Sequence, residues 1–262
     1  MDYISHIQPL YALSGLAVGL LVGFTGVGGG SLMTPLLILL FHIHPSTAVG
    51  TDLLYAGATK SVGTAVHGAS RTVDWGIVGR LAAGSVPASA LTLLAMVHFH
   101  AKAQTGHGAI TNVLGVALIL TAIAILFRRM ILKYFADRVG DFEPGQRTGF
   151  TVGLGVVLGV LVSLSSVGAG AIGMTVLLVL YPKLPAAKLV GSDIAHAVPL
   201  TLLAGFGHWL MGDINFSLLG SLLVGSVPGI IIGSLLASRA PEGLLRTILA
   251  STLALVGGRL FF

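Results

Sequence analysis

The chain has 262 residues, of which 55% are hydrophobic and only 9% are charged. Soluble domains carry about 25% charged residues, so this composition excludes an ordinary soluble protein and predicts a membrane protein. The absence of cysteine excludes disulfides, thiol nucleophiles and cysteine metal sites. The net charge of +5 comes from lysines and arginines between the apolar runs, so no nucleic-acid partner is expected.

Apolar runs recur along the whole chain and predict an all-α polytopic membrane protein with five segments in each half. The first-half segments are 9–25, 31–43, 46–68, 74–97 and 108–130. The second-half segments are 147–165, 171–182, 185–210, 215–237 and 243–262. The second and seventh segments are shorter than the roughly 20 residues that cross a bilayer. Each is therefore expected to form a re-entrant hairpin with the segment before it.

The tips of these two hairpins are glycine loops that match each other. Residues 26–31 read GVGGGS and residues 166–171 read SVGAGA, 140 residues further on. More matches follow in the same order: VGTD at 49–52 with VGSD at 190–193, His67 with His208, Asp74 with Asp213, and GSVP at 84–87 with GSVP at 225–228. The chain is therefore predicted to contain two copies of one unit.

The distribution of basic residues predicts the orientation. With ten segments, one side of the membrane carries eleven lysines and arginines and the other side carries two. The richer side holds Arg71, Arg80, Arg128, Arg129, Lys133, Arg138, Arg147, Lys183, Lys188, Arg239 and Arg246; the other holds Lys102 and Arg259. The positive-inside rule places the richer side in the cytoplasm and both termini outside. If each hairpin were instead one discontinuous helix, eight crossings would give a weaker split of 8 to 5.

An odd number of segments per unit implies that the second copy is inserted upside down, as in transporters with inverted-topology repeats. The predicted organisation is an N-terminal repeat at 1–130, a cytoplasmic linker at 131–146 and a C-terminal repeat at 147–262. The fifth and tenth segments carry no matching polar residues. They are expected to serve as scaffold or as contacts in a homo-oligomer.

The glycine loops predict a binding site for a small anion. Glycine lets backbone N–H groups approach a ligand, and the unpaired N–H groups at a helix start carry the positive end of the helix dipole. The other interpretation is that the glycines only allow close helix packing. The candidate binding residues are Thr25, Gly26, Gly28, Gly29, Gly30, Ser31, Thr51, Ser165, Ser166, Gly168, Gly170, Ser192 and Lys60.

Ionisable residues within the apolar segments are expected to have partners, because a charge inside a bilayer is costly. Asp52 and Asp193 match each other, and either they couple transport to an ion or they brace the glycine loops; His196, which matches Tyr55, joins this group. Lys60 has no basic counterpart, since Thr201 is aligned with it. Lys60 could neutralise an anion, reach the interface or pair with Asp52.

The motif GFTGVGGGS at 23–31, VGTD at 49–52 and their weaker second copies resemble the sulfite exporter TauE/SafE family, also called the 4-toluene sulfonate uptake permease family. The resemblance covers essentially the whole chain. It implies a bacterial inner-membrane secondary transporter of organosulfur anions such as sulfite, sulfonates, sulfoacetate or thiosulfate, driven by an ion gradient. The second loop has Ala169 and Ala171 where the first has Gly29 and Ser31, so the tighter grip on the anion is expected at residues 26–31.

The predicted function is therefore transport of a small sulfur-containing anion by alternating access, coupled to H⁺ or Na⁺. A passive anion channel with the same site is the alternative. A membrane enzyme is disfavoured because no HExxH or similar metal motif and no nucleophile–base pair is evident. No catalytic residue, metal site or cofactor is expected, and the lipid bilayer is the expected environment.

Overall fold

The computed structural model describes residues 8–25, 30–100 and 143–236, together with isolated positions between 115 and 130. Within these residues the chain is helical, which confirms the all-α class. The helices are α1 (Pro9–Thr25), α2 (Gly30–Leu39), α3 (Pro45–Ala69), α4 (Trp75–His100), α5 (Pro144–Ser165), α6 (Met174–Leu180), α7 (Ala186–Leu210) and α8 (Phe216–Leu236). A π-helical turn, Ala169–Gly173, precedes α6. The predicted segments 108–130 and 243–262 lie outside the described residues, apart from the isolated positions.

Four of the described helices are long and apolar enough to cross a membrane: α4, α5, α7 and α8. Helix α1 and the segment Ala169–Leu180 are apolar but shorter. Helix α3 has 25 residues, as many as α7, but its mean hydropathy is lower. The difference arises because α3 carries buried polar residues, including Asp52 and Lys60. Helices α3 and α7 pack against each other and form the centre of the molecule.

Close glycine-mediated crossings hold the outer helices to one another. Helix α1 packs along α8, and α4 packs along α5. A Cβ atom on Gly19 would lie 2.5 Å from the carbonyl oxygen of Ser226, and one on Gly159 would lie 2.5 Å from that of Ser85. Only glycine permits such an approach of two backbones. In both crossings the first helix of one half meets the fourth helix of the other half.

Positions 141 residues apart, Thr51 with Ser192 and Asp74 with Asn215, also make reciprocal contacts in the first two turns of α3 and α7. The N–H group of Asp74 donates a hydrogen bond to Ser192 Oγ at 2.8 Å, and the N–H group of Asn215 donates one to Thr51 Oγ1 at 3.1 Å. Thus the turn before α4 docks on α7, and the turn before α8 docks on α3. These contacts fix the positions of Thr51 and Ser192, which directly precede Asp52 and Asp193 in the sequence.

Candidate functional site

The second glycine loop reverses the chain through two unusual backbone conformations. Helix α5 ends at Ser165, after which Ser166 has φ +58° and Gly168 has φ +115°. The first hydrogen bond of the following turn runs from the N–H of Ile172 to the carbonyl oxygen of Gly168 at 3.0 Å. The N–H groups of residues 169–171 therefore have no acceptor within the turn. A helix start was predicted at 171, whereas the wider π-helical turn begins at 169.

The first glycine loop is described only at its edges. Gly26, Gly28 and Gly29 lie outside the described residues. Thr25 ends α1, and Gly30 and Ser31 begin α2. Helix α2 contacts both α3 and the π-helical turn of the other half. The two hairpins therefore meet inside the molecule, and a shared anion site between their loops stays a prediction.

Asp52 is hydrogen-bonded to both hairpins. It is fully buried, and one of its carboxylate oxygens, Oδ2, accepts two hydrogen bonds. Thr34 Oγ1 on α2 donates at 2.5 Å, and Ser166 Oγ on the second loop donates at 3.0 Å. Asp52 therefore links the two hairpins through two hydroxyl donors, and the choice between the two predicted roles, ion coupling and bracing, stays a prediction.

Asp193 occupies the matching position but is held differently. It is also fully buried, yet neither carboxylate oxygen has a hydrogen-bond partner among the described residues. Thr175, which corresponds to Thr34, donates its hydroxyl to the carbonyl oxygen of Ala171 at 2.7 Å instead. The carboxylate rests against Gly173, where a Cβ atom would lie 2.7 Å from Oδ1. The two acids are thus equivalent in sequence but not in bonding.

Lys60 is a buried ionisable residue on the same helix as Asp52. Its exposed fraction is 2%, so its ammonium group does not extend to the surface of the protein. Among the described residues, no carboxylate oxygen forms an ion pair with Lys60 within 4.0 Å. His196 shares a hydrogen bond of 2.8 Å between Nε2 and Ser85 Oγ, while its Nδ1 has no partner in the described residues. Asp52, Lys60, Asp193 and His196 are thus four buried ionisable residues on α3 and α7.

The family model described as "Sulfite exporter TauE/SafE" matches residues 11–260. The chain belongs to the sulfite exporter TauE/SafE family. It is 39% identical over 212 residues to the "Probable membrane transporter protein YjnA" of Bacillus subtilis (strain 168), covering 80% of this chain and 83% of the relative. No solved structure matches the chain.

More distant relatives carry the same kind of name. The "Probable membrane transporter protein YdhB" of Bacillus subtilis (strain 168) is 30% identical over 216 residues, which cover 79% of this chain and 80% of the relative. The "Probable membrane transporter protein MJ0441" of Methanocaldococcus jannaschii is 26% identical over 207 residues, covering 77% and 72%. The TauE/SafE family and these names identify a membrane transporter and not an enzyme.

Three hydroxyl residues predicted to bind the anion make backbone contacts in this TauE/SafE protein. Thr51 and Ser192 accept the reciprocal N–H bonds described above. Ser165 Oγ donates to the carbonyl oxygen of Leu161 at 2.7 Å and accepts from the N–H of Val167 at 3.2 Å. Binding by these three residues remains a prediction, and their bonds show that each also shapes the backbone around the site.

Two buried hydroxyl residues that bond candidate site residues of this TauE/SafE protein were not predicted from the sequence. Thr34 bonds Asp52, and Ser85 bonds His196. A signal existed for both, since Thr34 matches Thr175 and Ser85 matches Ser226 in the repeat. Ser226 in turn shares a hydrogen bond of 2.8 Å with Thr59. Hydroxyl residues that recur at matching positions of the two halves therefore indicate candidate site residues, as matching charged residues do.

Proposed function

We propose that the protein is a secondary transporter that moves a small sulfur-containing anion of the sulfite, sulfonate, sulfoacetate or thiosulfate class across the inner membrane by alternating access, coupled to a proton or another ion. The observation that carries this proposal is the meeting of the two hairpins at Asp52, where Thr34 and Ser166 donate to one carboxylate oxygen. This contact brings the starts of α2 and the π-helical turn to one buried place.

The proposed substrate follows from the chemistry of that place. Unpaired N–H groups at a helical start favour an anion without a full counter-charge. Lys60, buried on α3, is the residue proposed to supply a positive charge to the anion. Sulfite and sulfonates present several oxygens around one sulfur, so N–H groups and hydroxyls from two loops can bind them at once. The family description, which names sulfite export, agrees with this class of anion.

The proposed architecture is two inverted repeats with both termini outside. Reciprocal contacts support it. First and fourth helices cross between the halves, and the bonds from Asp74 to Ser192 and from Asn215 to Thr51 join positions that correspond at a spacing of 141 residues. Contacts of this kind arise when a two-fold axis relates the units. An axis in the membrane plane lets the two halves exchange roles between outward-open and inward-open states.

Cysteine labelling tests this inversion, since the chain contains no cysteine. Ser70 and Met211 occupy corresponding turns after α3 and α7, and both have exposed surface. We expect a membrane-impermeant maleimide to label Met211→Cys from outside in intact cells and Ser70→Cys only after the inner membrane is opened. Labelling of both from the same side would contradict the inverted arrangement and favour eight crossings with parallel repeats.

Transport is tested with purified protein in lipid vesicles. We expect labelled sulfite or a small alkanesulfonate to accumulate above its equilibrium concentration when a proton or sodium gradient is imposed. Sulfate and acetate serve as competitors that differ in charge or shape. Flux that only dissipates the anion gradient would identify a passive channel, and absence of flux for every sulfur anion would contradict the proposed substrate class.

A further inference from the structure

The two buried acids at the centre of the molecule differ in a way that separates their roles. Asp52 accepts hydrogen bonds from Thr34 and Ser166, which stabilise its ionised form. Asp193 has no hydrogen-bond donor among the described residues, although it is equally buried. In the sequence, the residue matching Ser166 is Gly26, which has no side chain to donate. Thr175, the counterpart of Thr34, donates to the carbonyl oxygen of Ala171 instead of to Asp193.

The Asp193 carboxylate has no ion-pair partner among the described residues. Helix α3 brings Asp52 and Lys60, and α7 itself brings His196, whose Nε2 bonds Ser85 of α4. Lys188 and His208 of α7 contact Asp74 and Asp213 instead. On the other described elements packed against α7, Arg80 and Arg147 are engaged with the Tyr181 ring or hydroxyl. An ionised carboxylate that is buried without a hydrogen-bond donor or an ion-pair partner is costly, so Asp193 is suited to bind a proton.

We propose that Asp193 is the proton-binding residue of the transport cycle and that Asp52 remains an ionised brace. This rests on the proposed function. When an anion enters between the hairpins, a proton from the bulk solution binds the Asp193 carboxylate. The charge of the cluster then stays constant through the cycle, because each incoming anion brings one proton.

Proton uptake on binding tests this proposal in purified full-length protein. The probe is methanesulfonate, whose own charge does not change with pH in the tested range. Wild-type protein is expected to take up about one proton per bound anion, with affinity falling about tenfold per pH unit at alkaline pH. Asp193→Asn should bind methanesulfonate without proton uptake and without this pH dependence. Asp52→Asn is allowed to bind more weakly, but in the fraction that folds it should still take up about one proton per bound methanesulfonate, and binding without proton uptake there would overturn the assignment.

A measurement without any anion separates this proposal from the proposed function. Infrared difference spectra on changing pH should show the C=O band of a buried carboxylic acid in wild-type protein, and Asp193→Asn should lack it. If Asp193→Asn does not fold, Thr34→Val decides: it removes a donor from Asp52 with little change of shape, so the titration of the band should not move. A band that persists in Asp193→Asn, or that shifts in Thr34→Val, would overturn the assignment whether or not methanesulfonate binds.

Discussion

Gly168→Val is expected to reduce anion uptake at least about tenfold while protein still inserts into the membrane. Gly168 has φ +115°, which side-chain-bearing residues rarely adopt. Such backbone strain costs about 1–3 kcal/mol, and about 1.4 kcal/mol corresponds to a factor of ten in an equilibrium constant. A Cβ atom would find ordinary contacts, with Ile172 Cδ1 at 3.7 Å. The effect should therefore come from the loop conformation and not from a clash.

The matched control for Gly168 is Gly153→Val. Gly153 lies exposed on α5, and a Cβ atom there meets nothing within 4 Å. Uptake is measured in vesicles at equal protein content, with gel filtration confirming that both variants are folded. Uptake by Gly168→Val equal to that of Gly153→Val would contradict a functional role for the loop conformation.

Gly225→Val is expected to remove most folded protein. A Cβ atom at this position would overlap the carbonyl oxygen of Ala12, and the three nearest atoms all belong to the backbone of α1. Since backbone cannot move aside as a flexible side chain does, α1 and α8 would have to separate. Overpacking costs typically 1–3 kcal/mol and sometimes more, and here we expect about 3 kcal/mol or more because a whole helix crossing is disturbed.

Two further glycine variants serve as comparisons for Gly225→Val, one at the matching position and one at a control position. Gly84 matches Gly225 and meets the backbone of Val152 on α5, so Gly84→Val should be equally damaging. Gly220 lies on α8 as well, but it is exposed and a Cβ atom there meets nothing within 4 Å. Thermal unfolding in detergent compares the three variants. A transition of Gly225→Val at the temperature of Gly220→Val would show that the crossing does not need glycine.

The helices could be predicted from sequence because their bounds depend on features of the local sequence. Apolar length and the interrupting glycines gave the bounds of the described helices to within a few residues, including the short α2 and α6. The repeat also located both buried acids. The π-helical turn was not predicted, because small residues such as Ala169 and Gly170 permit either a π-helical or an α-helical turn and the choice depends on packing against α7 and α2.

The difference between Asp52 and Asp193 could not be predicted from the repeat alone. Both follow a hydroxyl residue that follows glycine, and both are fully buried. Their bonding differs because Ser166 adopts a left-handed backbone conformation and because Thr34 turns to the acid while Thr175 turns to its own helix. Side-chain direction of this kind is decided by three-dimensional packing between two hairpins and leaves little trace in a single sequence.

Binding of a sulfur-containing anion where the two hairpins meet can be checked by locating a heavier analogue of the anion. Selenite replaces sulfite with similar shape and charge, and its selenium gives an anomalous signal in a crystal structure of the full-length protein. One strong peak is expected between residues 26–31 and 166–171. A peak elsewhere in the protein, or no peak between these loops at selenite concentrations that inhibit sulfite uptake, would contradict it.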